Sequence, residues 1–131
     1  MQDDFSKIMT ISASGMRAQG QRMKLAAENL SNIDSPGYRR KQIYFRNEVD
    51  RAADLTRVAV SNVTRDQSPL ERVHDPNHPL ADPDGYVDFS NVNAIIEMMD
   101  MKEAERSFSA GMRAFDQARE MFMRTLELLR N

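Results

Sequence analysis

The stretch MKEAERSFSAGMRAFDQAREMFMRTLELLR, residues 101–130, decides the reading of this chain. Met101, Phe108, Phe115, Phe122 and Leu129 recur in it at every seventh position, with Met112 and Leu126 flanking them. A seven-residue apolar repeat keeps one stripe of a helix against a partner helix along its whole length. No proline interrupts the run, and Glu120 to Arg124 is a favourable i,i+4 pair. The spacing predicts a helix over 91–130, about 60 Å long, capped by Ser90, Asn91 or Asn93.

A second stripe runs Phe5, Met9, Met16, Met23, Leu30, Ile33 and predicts a helix over 4–33, with Asp3 or Asp4 at its positive end. Met9, Met16, Met23 and Leu30 share one seam position; Ser12, Gln19, Ala26 and Ile33 share the other. Gly15 and Gly20 each cost this helix about 1 kcal/mol relative to alanine. They are tolerated where another helix crosses close to the backbone; a local bend is the alternative. The helix ends before Pro36, because the residue preceding a proline is pushed out of helical geometry. Ser35-Pro36-Gly37-Tyr38 suits a type II turn, with proline second and glycine third.

Between the helices, Ile43 with Phe45, Val58 with Val60 and Val63, and Tyr86 to Phe89 read as short strands, with a bulge or turn near Ser61-Asn62. Residues 47–57 are ambiguous. Prolines at 69, 76, 79 and 83 make 68–85 mostly loop. The expected fold is mainly α with a small β/loop insert: two long terminal helices forming a coiled-coil-like pair around an irregular middle. The units are 1–35, 36–90 and 91–131, the middle being too small to fold alone.

The chain has 131 residues, 40% hydrophobic, with 18 basic and 20 acidic side chains and a net charge of −2. That balance argues against electrostatic nucleic-acid binding. Arg39-Arg40-Lys41 is the one basic run, and a solvated loop is its ordinary reading. The absence of cysteine excludes disulfides, thiolate metal sites and cysteine nucleophiles. No apolar stretch is long enough to span a membrane. The opening Met1-Gln2-Asp3-Asp4 lacks the basic and apolar regions of a cleaved signal, so none is expected.

Pairing the helices within one chain buries one seam on each. Ile8, Ile11 and Leu25 on the first helix, and Ile95, Ile96, Met98, Met99, Met121, Met123 and Leu128 on the second, stay outside it. Burying such a residue is worth about 2.5 kcal/mol at about 100 Å² each, so they drive association. A head-to-tail contact that does not close makes a helical tube. All ten methionines lie in the two terminal regions; they suit packing in non-equivalent positions, or simply a helical core.

Catalytic signatures are lacking: there is no nucleophile elbow, P-loop or dinucleotide fingerprint. His74, Asp75, His78, Asp82, Asp84 and Asp88 cluster in sequence, but Pro76 and Pro79 forbid helical histidine spacing, and Asp82-Pro83-Asp84-Gly85 is only half an EF-hand loop. Turn formation is the expected role of these residues, with a metal-binding module as a rival. No enzyme, metal or cofactor is expected.

The segment Ala27-Glu28-Asn29-Leu30-Ser31-Asn32-Ile33-Asp34-Ser35-Pro36-Gly37-Tyr38 resembles the N-terminal signature of the bacterial flagellar rod and hook proteins. Ile11 to Gln19, Asp75 to Val87 and Asn91 to Met101 carry the same resemblance, which is most similar to the proximal-rod subunits. It implies a structural subunit of the periplasmic drive shaft, exported through the flagellar type III apparatus without signal cleavage. Further copies of itself, FlgB, FlgF, FlgG and the adaptor FliE would be its neighbours. Asn29, Leu30, Asn32, Pro36, Gly37 and Tyr38 would form an assembly motif. Met9, Met16, Met23, Met101, Phe108, Met112, Phe115, Phe122, Leu126 and Leu129 would pack the helical core. A FlgB-like sister subunit and a soluble helical export adaptor or chaperone remain the alternatives.

Overall fold

A computed structural model describes residues 2–131. Two helices, α1 (Gln2–Ser31) and α2 (Ala94–Arg130), run antiparallel along each other. Near one end Phe5 meets the edge of Phe122, ring centroids 6.0 Å apart. Toward the other, Arg22 reaches Asp100 at 3.1 Å and Glu103 at 3.2 Å. Asn93 is the N-cap of α2: its side chain accepts from the backbone N–H of Ile95 and Ile96, satisfying two donors that the first turn leaves without partners.

Burial along α2 alternates by threes and fours. Glu97, Ala104 and Ala118 are buried; Met101, Phe108, Gly111, Phe115, Phe122 and Thr125 are half-buried. One seam position thus carries the large residues, and from Ala104 onward the other carries small ones, which lets α1 approach closely. At Gly111 the approach is tight: a Cβ added there would come within 2.9 Å of Met16 Cγ. The fully buried apolar side chains are few and mostly small (Ala18, Ala26, Val87, Val92, Ala104, Ala118), so the chain has a thin core.

The opposite side of α1 carries a hairpin, β1 (Lys41–Asp50) paired antiparallel with β2 (Leu55–Arg65). Ser14 Oγ accepts from the Val58 N–H at 3.2 Å, and Lys7 lies 3.6 Å from Asp54. Tyr44 pairs with Asn62 and Phe45 with Val60, leaving Ser61 as the extra residue of a bulge. The middle is more regular than its sequence implies. Its ambiguous stretch becomes strand ends and a tight tip, because Asp50 Oδ1 accepts from the backbone of Ala52 and Ala53 at 3.1 Å each and Asp54 turns the chain at φ 51°. A second small ladder, β3 (Arg72–His74) with β4 (Tyr86–Asp88), closes the proline-rich loop. Among the described residues, no helix is long and apolar enough to cross a membrane.

Candidate assembly site: a polar joint and an uncovered helix face

The end of α1 is tied to the base of the hairpin by one side chain. Asn29 is 1% exposed. Its Oδ1 accepts from the Tyr38 hydroxyl at 2.7 Å and from the Lys41 N–H at 3.0 Å, while Nδ2 donates to the Lys41 carbonyl at 3.0 Å. An amide is needed here because the site asks for a donor and an acceptor at once. Asn32 closes the helix end, donating to the Glu28 carbonyl at 2.9 Å and accepting from Ser35 Oγ at 3.0 Å. Tyr38 N–H to Ser35 O at 3.1 Å completes the turn, and Gly37 sits at φ 76°, a conformation glycine adopts without strain. The Gly37 N–H points at two carbonyls, Asp88 at 3.0 Å and Phe89 at 2.9 Å, joining the turn to the strand before α2. Leu30 is half-buried, and Pro36 is exposed at the corner. The motif residues are therefore gathered within the chain, as a joint rather than as a patch.

The joint continues through residues to which the sequence assigned other roles, Arg40 in a solvated run and Ser90 and Asn91 as helix caps, and through Glu97, which it did not single out. Arg40 is not a solvated loop residue. Its Nε bonds the Glu97 carboxylate and its Nη2 reaches Asp100 at 3.2 Å. Asp100 also accepts from Arg22, so two arginines and three carboxylates link α1, the hairpin base and α2. Burial acts to lower the Arg40 pKa, but the Glu97 hydrogen bond and the Glu97 and Asp100 charges outweigh it and raise the value. Glu97 is 1% exposed and lies seven residues before Ala104, on the seam itself. An acid on an apolar seam was the available signal, and Arg40 is its counter-charge. Asn91 holds the same loop: Oδ1 accepts from the Arg40 N–H at 2.6 Å, and Nδ2 donates to the carbonyls of Asp66 at 2.9 Å and Ser68 at 3.1 Å. The Ser90 hydroxyl donates to the Ile33 carbonyl.

The packing residues divide. Met9, Met16, Met23, Met101, Phe108, Phe115 and Phe122 are half-buried between the helices, whereas Met112, Leu126 and Leu129 are exposed. Ile8, Ile11, Ile95, Ile96, Met98, Met99, Met121, Met123 and Leu128 are also exposed, and Leu25 is half-buried. Most of this uncovered apolar surface belongs to α2. The histidine and aspartate loop is held by its own bonds. Asp82 accepts from the Tyr86 N–H at 2.8 Å and from Arg72 at 2.5 Å, the His74 ring lies tilted at 58° against Tyr86, and His78 Nδ1 accepts from the Leu80 N–H at 3.0 Å. The Tyr86 N–H foremost, with Arg72, holds the Asp82 carboxyl below its ordinary range.

Comparison with known proteins places these features in one family. Residues 9–39 match the family described as Flagella basal body rod protein, and residues 84–128 match Flagellar basal body rod FlgEFG protein C-terminal. The chain is 36% identical over 135 residues to the flagellar basal-body rod protein FlgC of Agrobacterium fabrum, covering 98% of this chain and 97% of the relative. It is 36% identical over 127 residues to FlgC of Escherichia coli O6:H1, covering 92% and 95%. Identity to FlgC of Aquifex aeolicus is 36% over 131 residues, covering 95% and 96%. The chain belongs to the flagellar basal-body rod protein family, as a structural subunit that assembles with other rod proteins in the basal body.

Proposed function

We propose that this member of the rod family is a subunit of the proximal rod, polymerising through its terminal helices into the periplasmic shaft that carries torque from the motor to the hook. The observation that carries the reading is the outer face of α2, where Ile95 is 70% exposed and Met99 66% exposed on a helix already covered by α1 along its seam. A soluble monomer rarely leaves so many large apolar side chains of one helix wet, here mostly in two clusters near its ends. The full-length similarity to proteins named FlgC favours this reading over a FlgB-like sister or a helical export adaptor.

In this reading α1 and α2 form a coiled-coil-like pair. Residues 1–35 and 91–131 build the helical core of the tube, and 36–90 lie outside it. Asn29, Leu30, Asn32, Pro36, Gly37 and Tyr38 set the angle at which the chain leaves that core. Stiffness follows from interlocked helices, since twisting the shaft must break many packed contacts at once. FlgB, FlgF, FlgG, FliE and further copies are the neighbours; the type III export apparatus delivers the chain with no signal cleaved. The chain performs no catalysis and holds no cofactor. The test is removal of its gene and complementation. The expected result is loss of motility, with basal bodies lacking an assembled rod, restored by this chain. Normal rods in its absence would falsify the reading.

A further inference from the structure

The β1–β2 hairpin has an open edge, and it belongs to β1. Along an antiparallel pair, successive residues alternately turn both backbone groups toward the partner strand and away from it. Two sets of bonds fix that phase here. The Val58 N–H, opposite Asn47, leaves the hairpin for Ser14 Oγ on α1, and both backbone groups of Lys41 are held by the Asn29 amide. Counting by twos from either point gives one set: Ile43, Phe45, Asn47 and Val49 turn outward. The outer edge of β2 thus meets α1 at Val58, while Asn29 covers only the first outward rung of β1. Beyond that rung, among the described residues, no partner outside the hairpin meets these N–H and C=O groups. Phe45 and Val49, on one face of the edge, are 36% and 64% exposed, and Arg46 and Glu48 are exposed on the other. Such an edge is a template for another strand, and its two charges select which.

We infer that the occupant is the same edge of a second copy: β1 pairs antiparallel with β1 of a partner subunit, Asn47 opposite the partner's Asn47, joining two hairpins into one four-stranded sheet. In this register Phe45 stands across from the partner's Val49 and Arg46 across from the partner's Glu48, and the two-fold repeats both pairs. Apolar and opposite-charge pairs across a rung favour pairing. Sliding the strands by one residue sets outward groups against inward ones. Sliding by two sets Arg46 against Arg46 in one direction and Glu48 against Glu48 in the other, like charges that oppose pairing. Within one chain these charges are loosely held. Arg46 lies 3.9 Å from Glu48, and Arg57, 3.8 Å from Glu48, is engaged by Asp50 at 2.7 Å. A contact of this kind closes on itself. A tube of one polarity contains no such two-fold, so the pair belongs to the free chain, where it covers an edge open to indiscriminate strand pairing. It lies on the hairpin, apart from the terminal helices, and goes beyond the rod reading.

The chain has no cysteine, so single thiols report the register. Residues that face each other across a hydrogen-bonded rung have Cα atoms about 5.5 Å apart, within reach of a disulfide. The purified full chain carrying Asn47→Cys, equilibrated in a glutathione redox buffer, is expected to give a disulfide-linked dimer. Val49→Cys is not, because its counterpart lies roughly 13 Å away along the strand. Adding Arg46→Glu to the Asn47→Cys chain is expected to cut the dimer yield about tenfold. Adding Glu48→Arg as well is expected to restore it, since the swap returns opposite charges to each rung. The substituted positions 46–49 are all exposed. No dimer from Asn47→Cys, or equal yields from Asn47→Cys and Val49→Cys, overturns the inference. A yield indifferent to Arg46→Glu, or one that the charge swap fails to restore, overturns it too.

Discussion

The two ends of the helical hairpin are built on opposite principles. At the end where α1 turns into the hairpin, nearly every group has a partner inside the chain: Asn29 with Tyr38 and Lys41, Arg40 with Glu97 and Asp100, Ser90 with Ile33. At the far end Phe5 and Phe122 make an edge contact and the leucines beyond are bare. Polar partners demand fixed directions, so the joint specifies geometry. Apolar surface demands only cover, so the far end and the outer face of α2 hold association energy in reserve. A subunit arranged this way can settle its own shape first and leave its neighbours to supply the stability.

The joint is where that comparison breaks most easily. Arg40→Ala leaves Glu97 buried and unpaired, and removing one partner of a buried pair costs about 3–5 kcal/mol, a large share of the roughly 5–15 kcal/mol of a small domain. Denaturant unfolding of the purified chain should show the loss. Replacing both partners with apolar residues, Arg40→Met with Glu97→Leu, should recover most of it. If the pair specifies the register of α1 against α2, the double variant folds but assembles poorly. Full stability with full motility in the double variant would strip the pair of that role.

The seam and the outer face predict a contrast of smaller size. Phe115 is half-buried, so Phe115→Ala should fall below the about 3–5 kcal/mol of a fully buried phenylalanine, near about 2 kcal/mol. Leu128→Ser should shift the isolated chain by less than about 0.5 kcal/mol and yet cost motility. Equal behaviour of the two in both assays would erase the distinction between seam and interface. The helix glycines sharpen it at a lower energy. A Cβ at Gly20 would meet nothing within 4 Å, whereas at Gly111 it would press on Met16. Gly20→Ala should therefore stabilise the isolated chain by about 1 kcal/mol, and Gly111→Ala should gain nothing. A thermal melt of each variant decides the sign.

The helices were legible in the sequence because a heptad repeat and a proline-bounded end are local signals. Ser61 announced its bulge the same way, as a polar break among valines. The joint was legible only by half. Asn29, Gly37 and Tyr38 stood out as a motif, but Gly37 binds Asp88 and Phe89, about 50 residues away, and no periodicity encodes that contact or the Arg40–Glu97 one. The hairpin's full length was hidden because residues 47–57 carry no alternation; a single Asx turn at Asp50 closes the tip. β3 spans only Arg72–His74 with one apolar residue, too little for a strand pattern. The uncovered face of α2 was plain as an excess of apolar residues over one seam. Which of them stay wet required the position of α1, and that moved Met112, Leu126 and Leu129 from the interior to the surface.

The finest test of the joint is its proton. Burial foremost, then the Glu28 carboxylate, pushes the Tyr38 phenol above its ordinary pKa, and that phenol donates to Asn29 Oδ1 at 2.7 Å. The folded chain thus keeps the proton at a pH where the unfolded chain, titrating near about 10, has begun to lose it. The stability this contributes is complete below about pH 10 and is lost as pH rises through the higher folded value. Tyr38→Phe removes the donor and leaves Asn29 with one acceptor site unused, at a cost of about 1 kcal/mol. Having no proton to lose, the variant should trail the parent by that amount at pH 8 and by less at pH 11, compared as unfolding midpoints in denaturant. A deficit that stays constant across that range would mean that Tyr38 serves the joint by filling space, and that Asn29 grips the hairpin through Lys41 alone.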